Sequence, residues 1–441
     1  AAILENCQGK VLLIDEAYAM DDDLYGKQAI DTIVEHVSAA AGADRAVIMA
    51  GYEKQMLKMI RDQNPGLSRR FDPKNALYFE DFPDSALHLI MKRACARDKL
   101  KLPIDVRRAA IALLSQRRSL PNFGNAGAVE NMISDAKKNA VSRLHKAGIG
   151  TSLGSSLSLA LGDFGLGEKK DPFEVLKKLL NTGHIEEHLR KLEQSARLAR
   201  QLGNPPKPLK NYLFLGNSGT GKTTVAKAMA SVFYRMGMLA SDRCVVVSAP
   251  SLFGSAIGQA QEIVEKTMES ARGGVLLIDE AYELGKRGYG EEAQTKLVAM
   301  LTEEDYKDGK TVVILAGYKD DMEEMVAKNQ GANSRFPSRL LFHDWSDEDC
   351  FSLCATLAKN DRIELRTEDN NAVKTALKRA FVEIQALGNF ANARDAEDTY
   401  DCLFTAYGGR VDKTGKFEVT PRFTVEDVEE AKLQMLEKKN K

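Results

Sequence analysis

Runs of four or more apolar residues, with no polar alternation, recur at 11–14, 46–49, 212–215, 275–278 and 312–315. A continuous apolar run is what a strand buried on both faces needs, as in a parallel sheet. After "YLFLG" (212–216) the pattern changes, and "VAKAMASVFYRM" (225–236) carries its apolar positions at helical spacing. Strand runs followed by helical stretches predict an α/β fold with a parallel sheet flanked by helices. Asp171 followed by Pro172 suits a helix N-cap and first turn. Thr424 and Asp427 in "TVED" suit a capping box at the start of a last helix.

The strand pattern occurs twice. "VLLIDEAY" begins at 11 and again at 275, "AVIMAGY" (46–52) matches "VVILAGY" (312–318), and "FGNAG" (123–127) matches "FANAR" (390–394). The offsets are 264, 266 and 267, and three matches in one order indicate tandem copies of one domain. The first copy is expected to lack its front part. If it kept the second copy's spacing of 57 residues from Lys222 to Asp279, the lysine for Asp15 would lie 42 positions before the numbering begins. The expected division is 1–82 for the end of a first large domain, 83–146 for its lid and 147–170 for a Gly- and Ser-rich linker. A complete large domain follows at 171–343, then a second lid and C-terminal helix at 344–441.

Composition changes this picture little. A chain of 441 residues is too long for one ordinary core. Apolar and charged shares of 44% and 28% are those of a globular protein, and a net charge of −1 gives no bulk argument for nucleic acid or membrane binding. No apolar run approaches the roughly 20 residues that cross a bilayer, and no signal peptide is visible. The six cysteines lack disulfide-scaffold spacing, so they read as reduced thiols of an intracellular protein, cytoplasmic or nuclear. Cys350 and Cys354 could share a helix face, where packing is favoured over metal binding.

The chemistry lies in "GNSGTGKTT": Gly216, Asn217, Ser218, Gly219, Thr220, Gly221, Lys222, Thr223 and Thr224. This is the complete G-x-x-x-x-G-K-[ST] pattern between a strand and a helix. Its glycines let backbone N–H groups turn toward phosphates, at a helix end that favours negative charge. Lys222 should reach the β- and γ-phosphates of ATP and Thr223 should ligate Mg²⁺. Asp279 ends its strand at the carboxyl edge where open α/β sheets bind ligands, and should hold the Mg²⁺ shell. Glu280 should polarise the attacking water. Arg335 and Arg339 follow in "NSRFPSRLLF", and a planar, permanent cation suits a γ-phosphate clamp as well as it suits a solvated loop.

In order and detail these motifs resemble the AAA+ ATPases, most closely the CbbX/CfxQ branch of red-type Rubisco activases and stage V sporulation protein K. The resemblance covers about 170–435 and 1–145. It implies large α/β domains each followed by a small helical lid, ring assembly and ATP at subunit interfaces. It assigns Arg394 to the sensor-2 position, where it contacts the γ-phosphate from the lid, and Arg339 and Arg335 to the arginine-finger segment. Tyr318 stands near sensor 1. In the first copy Asp15 and Glu16 remain, Gly127 replaces the sensor-2 arginine, and Arg69 and Arg70 fall in the finger segment, where they could serve a neighbour's ATP. The pore segment matches "LFGSAIG" (252–258), with Ala256 in place of the gripping aromatic and Phe253 as a substitute.

"HIEEH" (184–188) also matches an inverted zinc-protease pattern, but no third ligand is suggested. The resemblance puts His184 near the adenine pocket instead. The functional reading is an ATP-driven machine that remodels a protein client, assembled as a ring or an intrachain pseudo-ring. The alternative is an ATP-organised scaffold with slow hydrolysis. A nucleic-acid motor lacks a basic-aromatic stripe.

Overall fold

The computed structural model describes residues 2–21, 24–37, 45–121, 123–147, 157–166, 171–174, 176–202, 204–254, 258–286, 288–365, 371–414 and 421–439. They fall into two compact units, Ala1–Glu80 and Asp81–Lys441. Among the described residues no helix is long and apolar enough to cross a membrane.

In the first unit, β1 (Val11–Ile14) and β2 (Ala46–Met49) pair in parallel, Val11 beside Ala46 and Ile14 beside Met49. The helices Leu24–His36, Glu53–Asp62 and Pro65–Arg70 accompany them. Ala17, Ile30, Met59 and Leu67 form a small core against Ile14, Met49 and Phe71. That core covers one face of the strands. Burial on both faces, expected from the unbroken apolar runs, is not found here: exposure alternates along β1 and β2, and Val11, Leu13 and Ile48 face outward.

The second unit opens with three helices, Asp84–Arg97, Ile104–Arg117 and Asn125–Lys146. Leu87, Met91, Val106, Ile111, Val129 and Ile133 meet at helical spacing in their core. Of the segment expected as a linker, 147 and 157–166 are described, and 157–166 belongs to this core. Ser158 bridges Lys101, and Leu159 and Phe164 are buried. Buried Asp163 accepts two hydrogen bonds from Arg143, at 2.9 Å each. These helices sit against the module that follows. Gln116 Nε2 donates to the carbonyls of Tyr234, at 2.9 Å, and Leu239, and Arg272 Nε donates to the Ser119 carbonyl at 3.1 Å.

That module holds β3 (Tyr212–Gly216), β4 (Cys244–Ser248), β5 (Val275–Asp279), β6 (Val312–Gly317) and β7 (Ser338–Phe342), all parallel, in the order β4-β5-β6-β3-β7. β3, first in sequence, lies between β6 and β7, so the chain leaves it toward one side and later returns to the other. Such a switch point opens a crevice at the strands' carboxyl ends. One face packs on the helix Lys222–Arg235 through Val225, Met229 and Phe233. The other packs on Gln259–Ser270 and Tyr289–Met300 through Val264, Met268 and Leu297. A side chain such as Phe233, fully enclosed, contributes about 2–3 kcal/mol.

Upstream, Asp171 does accept the Phe173 N–H at 3.0 Å, but the turns after it are 3₁₀ and the long helix begins only at Gly183. The closing helices are Asp347–Asn360, Asn371–Gln385, Ala393–Thr414 and Val425–Lys439. Thr424 and Asp427 cap the last of them reciprocally, at 2.9 and 3.3 Å. Cys350 and Cys354 are packed inside this bundle.

Candidate nucleotide site

β3 ends at Gly216, where a Cβ would meet the Phe342 carbonyl of β7, so this close approach requires glycine. The loop then turns through Gly219 (φ +73°) and Gly221 (φ +92°), left-handed conformations that glycine adopts without steric cost. A Cβ on Gly219 would strike the Ala391 carbonyl of the closing bundle, while Gly221 faces open space. That space is a cavity of about 300 Å³ at the carboxyl ends of β3, β5 and β6. The helix beginning at Lys222 points its N-terminus into it, which draws anions.

Lys222, Thr223, Thr224, Asp279, Glu280 and Arg394 line this one cavity with Gly216, Ser218, Gly219 and Gly221. Asn217 and Thr220 do not line it. Thr220 Oγ1 closes the loop on the Asn217 carbonyl at 2.8 Å, and Asn217 Nδ2 donates to both oxygens of Asp344, at 3.0 and 2.9 Å. Lys222 Nζ donates to the carbonyls of Gly216 (2.8 Å) and Asn217 (2.7 Å). Burial pushes its pKa below the usual lysine range, against the pull of Asp279. On β5, Asp279 Oδ1 accepts the Glu280 N–H at 2.9 Å, and Glu280 takes a left-handed turn (φ 53°) that throws its carboxylate outward. Tyr282 and Tyr318, 5.8 Å apart, form the wall beyond it. Burial, then the Glu280 charge, raises the Tyr282 hydroxyl's pKa.

The closing bundle reaches the loop. Arg394 Nη1 donates to Ser218 Oγ at 3.0 Å. Asn392, fully buried, donates to the Ser218 carbonyl and to Asp344, each at 3.0 Å, and accepts the Trp345 N–H at 2.7 Å. Asn392, Asp344 and Tyr282 did not emerge from the sequence. The repeat carried a signal for the first two, since "F-x-N-A" and the Asp before an aromatic stand in both copies.

Arg335 and Arg339 are not brought to this cavity. Arg335 folds onto its own helix, donating to the Gly331 carbonyl (3.2 Å) and Ser334 Oγ (3.0 Å), while exposed Arg339 makes a long contact to Asn333, at 3.4 Å. His184 lies outside the cavity too, its Nε2 2.8 Å from the Leu341 carbonyl. Among the described residues no group of three or more His, Cys, Asp or Glu is placed to hold a metal ion. Phe253 is half-buried against the core, and Ala256 lies outside the described residues.

The donor set fits Mg²⁺-ATP. The space at Gly221 and the helix end suit phosphates, and the Thr223 hydroxyl and Asp279 carboxylate are oxygen donors of the kind Mg²⁺ takes. In the first unit the corresponding elbow has the same form: Glu16 has φ 51°, its N–H donates to Asp15 Oδ1 at 3.0 Å, and Tyr18 and Tyr52 stand 5.9 Å apart.

A model of the ATPase family associated with various cellular activities (AAA) matches residues 212–344, and an AAA lid model matches 84–170. Protein CbbX of Cereibacter sphaeroides is 33% identical over 276 residues, 58% of this chain and 86% of that protein. The chloroplastic ribulose bisphosphate carboxylase/oxygenase activase of Cyanidioschyzon merolae is 32% identical over 210 residues, 46% of this chain and 69% of that one. The ESX-1 secretion system protein EccA1 of Mycobacterium tuberculosis is 35% identical over 167 residues, 36% of this chain and 29% of that protein.

Proposed function

The chain belongs to the AAA ATPases related to CbbX and hydrolyses ATP, and from that premise we propose that its competent site is the cavity at the carboxyl ends of β3, β5 and β6. Residues 1–80 repeat part of the same domain, and the energy of hydrolysis remodels a protein client within a self-assembled ring. The observation that carries this reading is the convergence of Lys222, Asp279, Glu280 and Arg394, from three separate elements, on one cavity.

The helix N-terminus and Lys222 bind the phosphates. Thr223 and Asp279 would hold Mg²⁺, which when bound neutralises charge on the phosphate oxygens. Glu280, exposed at the cavity rim, orients a water and accepts its proton. Arg394 faces the charge that develops on the outermost phosphate and ties that event to the lid. Arg339, exposed and with a long contact to Asn333, acts on a neighbouring protomer's ATP; Arg335 is held at home.

Lys222→Ala should abolish ATP binding, and Glu280→Gln should bind ATP without turning it over. Undiminished turnover in the Lys222 variant would sink the assignment. The carboxylase activase and EccA1 bear names from unrelated processes, so the client is sought among proteins by measuring ATPase rate with and without each. A slow rate that no client changes would favour a scaffold.

A further inference from the structure

We propose that Lys439, on the helix Val425–Lys439, is a positioning residue for ATP hydrolysis: by neutralising Asp395 inside the closing bundle, it holds the turn that aims Arg394 at the outermost phosphate. The inference deepens the proposed function and rests on its reading of Arg394.

The pair is buried. Lys439 Nζ lies 2.6 Å from Asp395 Oδ2, and the two side chains are only 10% and 6% exposed. The ammonium also donates to the Asn389 carbonyl at 2.8 Å and to Asn389 Oδ1 at 3.4 Å. The same Asp395 oxygen accepts the Ala391 N–H at 2.7 Å. Lys439 thus ties Asn389 to Asp395, the two ends of one turn.

That turn is where the bundle meets the phosphate-binding loop. The Ala391 carbonyl lies against Gly219 too closely for a Cβ, and the Ala393 N–H donates to the Gly219 carbonyl at 3.1 Å. Arg394 reaches Ser218 from the same turn. An uncompensated anion one residue from Arg394 would oppose the triphosphate and compete for the guanidinium. Lys439 cancels that charge from behind, without lining the cavity itself.

The first lid shows that the turn does not need the pair in order to form. Asn125 takes the same left-handed backbone as Asn392, φ 46° against 53°. It donates to Asp81 Oδ1 at 2.8 Å and accepts the Phe82 N–H at 2.8 Å, as Asn392 does with Asp344 and Trp345. Yet Gly127 and Ala128 stand where the other copy has Arg394 and Asp395. The acid and its buried lysine therefore accompany the arginine, and what they add belongs to Arg394 and not to the fold of a lid.

The test is steady-state kinetics on the full chain, well below its melting temperature, with Lys438→Met as the control. Lys438 pairs with Asp398 at 2.8 Å on the same helix end. Lys439→Met should lower kcat about tenfold, as a misaimed charge-stabilising group does, while Lys438→Met stays within about twofold. Adding Asp395→Asn to Lys439→Met should restore most of the loss, because an amide oxygen still accepts the Ala391 N–H and carries no charge. Beside Arg394→Ala, Lys439→Met should cost less than about threefold more, since the two act through one group. Lys439→Gln, which keeps a donor, serves for the same measurements if the Met variant does not fold. A kcat unchanged in a chain that merely melts earlier, or a loss that persists undiminished beside Arg394→Ala, would overturn the proposal and leave the proposed function intact. Turnover that survives Lys222→Ala would overturn that function instead.

Discussion

Asn392 and Asp344 are joined by a 3.0 Å hydrogen bond, and each also holds the phosphate-binding loop: Asn392 through the Ser218 carbonyl, Asp344 through the Asn217 amide. The closing bundle and the loop tip thus share one polar circuit. Asn392→Ala should cost about 2 kcal/mol, because it strips partners from the Trp345 N–H and the Asp344 carboxylate. It should lower ATPase turnover about tenfold, since a loop uncoupled from its lid loses pre-organisation. Asn392→Asp keeps the Trp345 acceptor but sets two carboxylates together, and should be worse. Thermal melts and steady-state kinetics give both readouts.

Arg394 enters the cavity from the lid side and should matter more to the reaction than to binding. Arg394→Ala is expected to reduce kcat by about 10²-fold, the usual effect of removing one positioned charge-stabilising donor. Nucleotide affinity should change only a few-fold. Arg394→Lys should restore little, because a point charge does not reproduce the planar fork. An equal loss in affinity and turnover would place Arg394 in ground-state binding instead.

The Arg143–Asp163 pair fastens residues 157–166 to the first lid. Burial opposes the Asp163 charge, but the Arg143 guanidinium and the Ala160 N–H outweigh it and hold the carboxyl below the ordinary range. A lowered carboxylate stabilises the fold above its unfolded pKa and loses that contribution as pH falls through its folded value. Arg143→Ala should therefore destabilise by about 3 kcal/mol near neutrality. The deficit should shrink on acidification below the ordinary aspartate range, followed by denaturant melts at several pH values.

Burial, then the nearby carboxylates of Asp349, Asp347 and Asp395, pushes the Cys350 thiol up to about 12. Cys354 is raised as well, first by burial, and its Sγ donates to the Ala396 carbonyl at 3.5 Å. Native protein at pH 8 should leave both thiols unmodified by iodoacetamide over hours, while guanidinium exposes them within minutes. Rapid native labelling, read by peptide mass, would contradict the packed bundle.

The nucleotide loop, its strand and the Asp279–Glu280 elbow were legible because each is local: a few consecutive residues carry both the backbone path and the chemistry. Arg394 became legible through resemblance alone. The circuit of Asn217, Asp344 and Asn392 was not, since its members stand 127 and 48 positions apart and polar residues at element ends leave no periodic trace. The one-sided burial of β1 and β2 was hidden for a related reason. An unbroken apolar run records what a strand is suited to, while exposure depends on which neighbours are present.

Glu280 occupies a left-handed backbone conformation (φ 53°) that costs a side-chain-bearing residue about 1 kcal/mol and glycine almost nothing. A screen for heat resistance would thus reward Glu280→Gly, and reward it with a dead enzyme. The corresponding Glu16 sits under the same tension (φ 51°), so the two positions form a matched pair for asking which gain in durability is neutral and which is lethal.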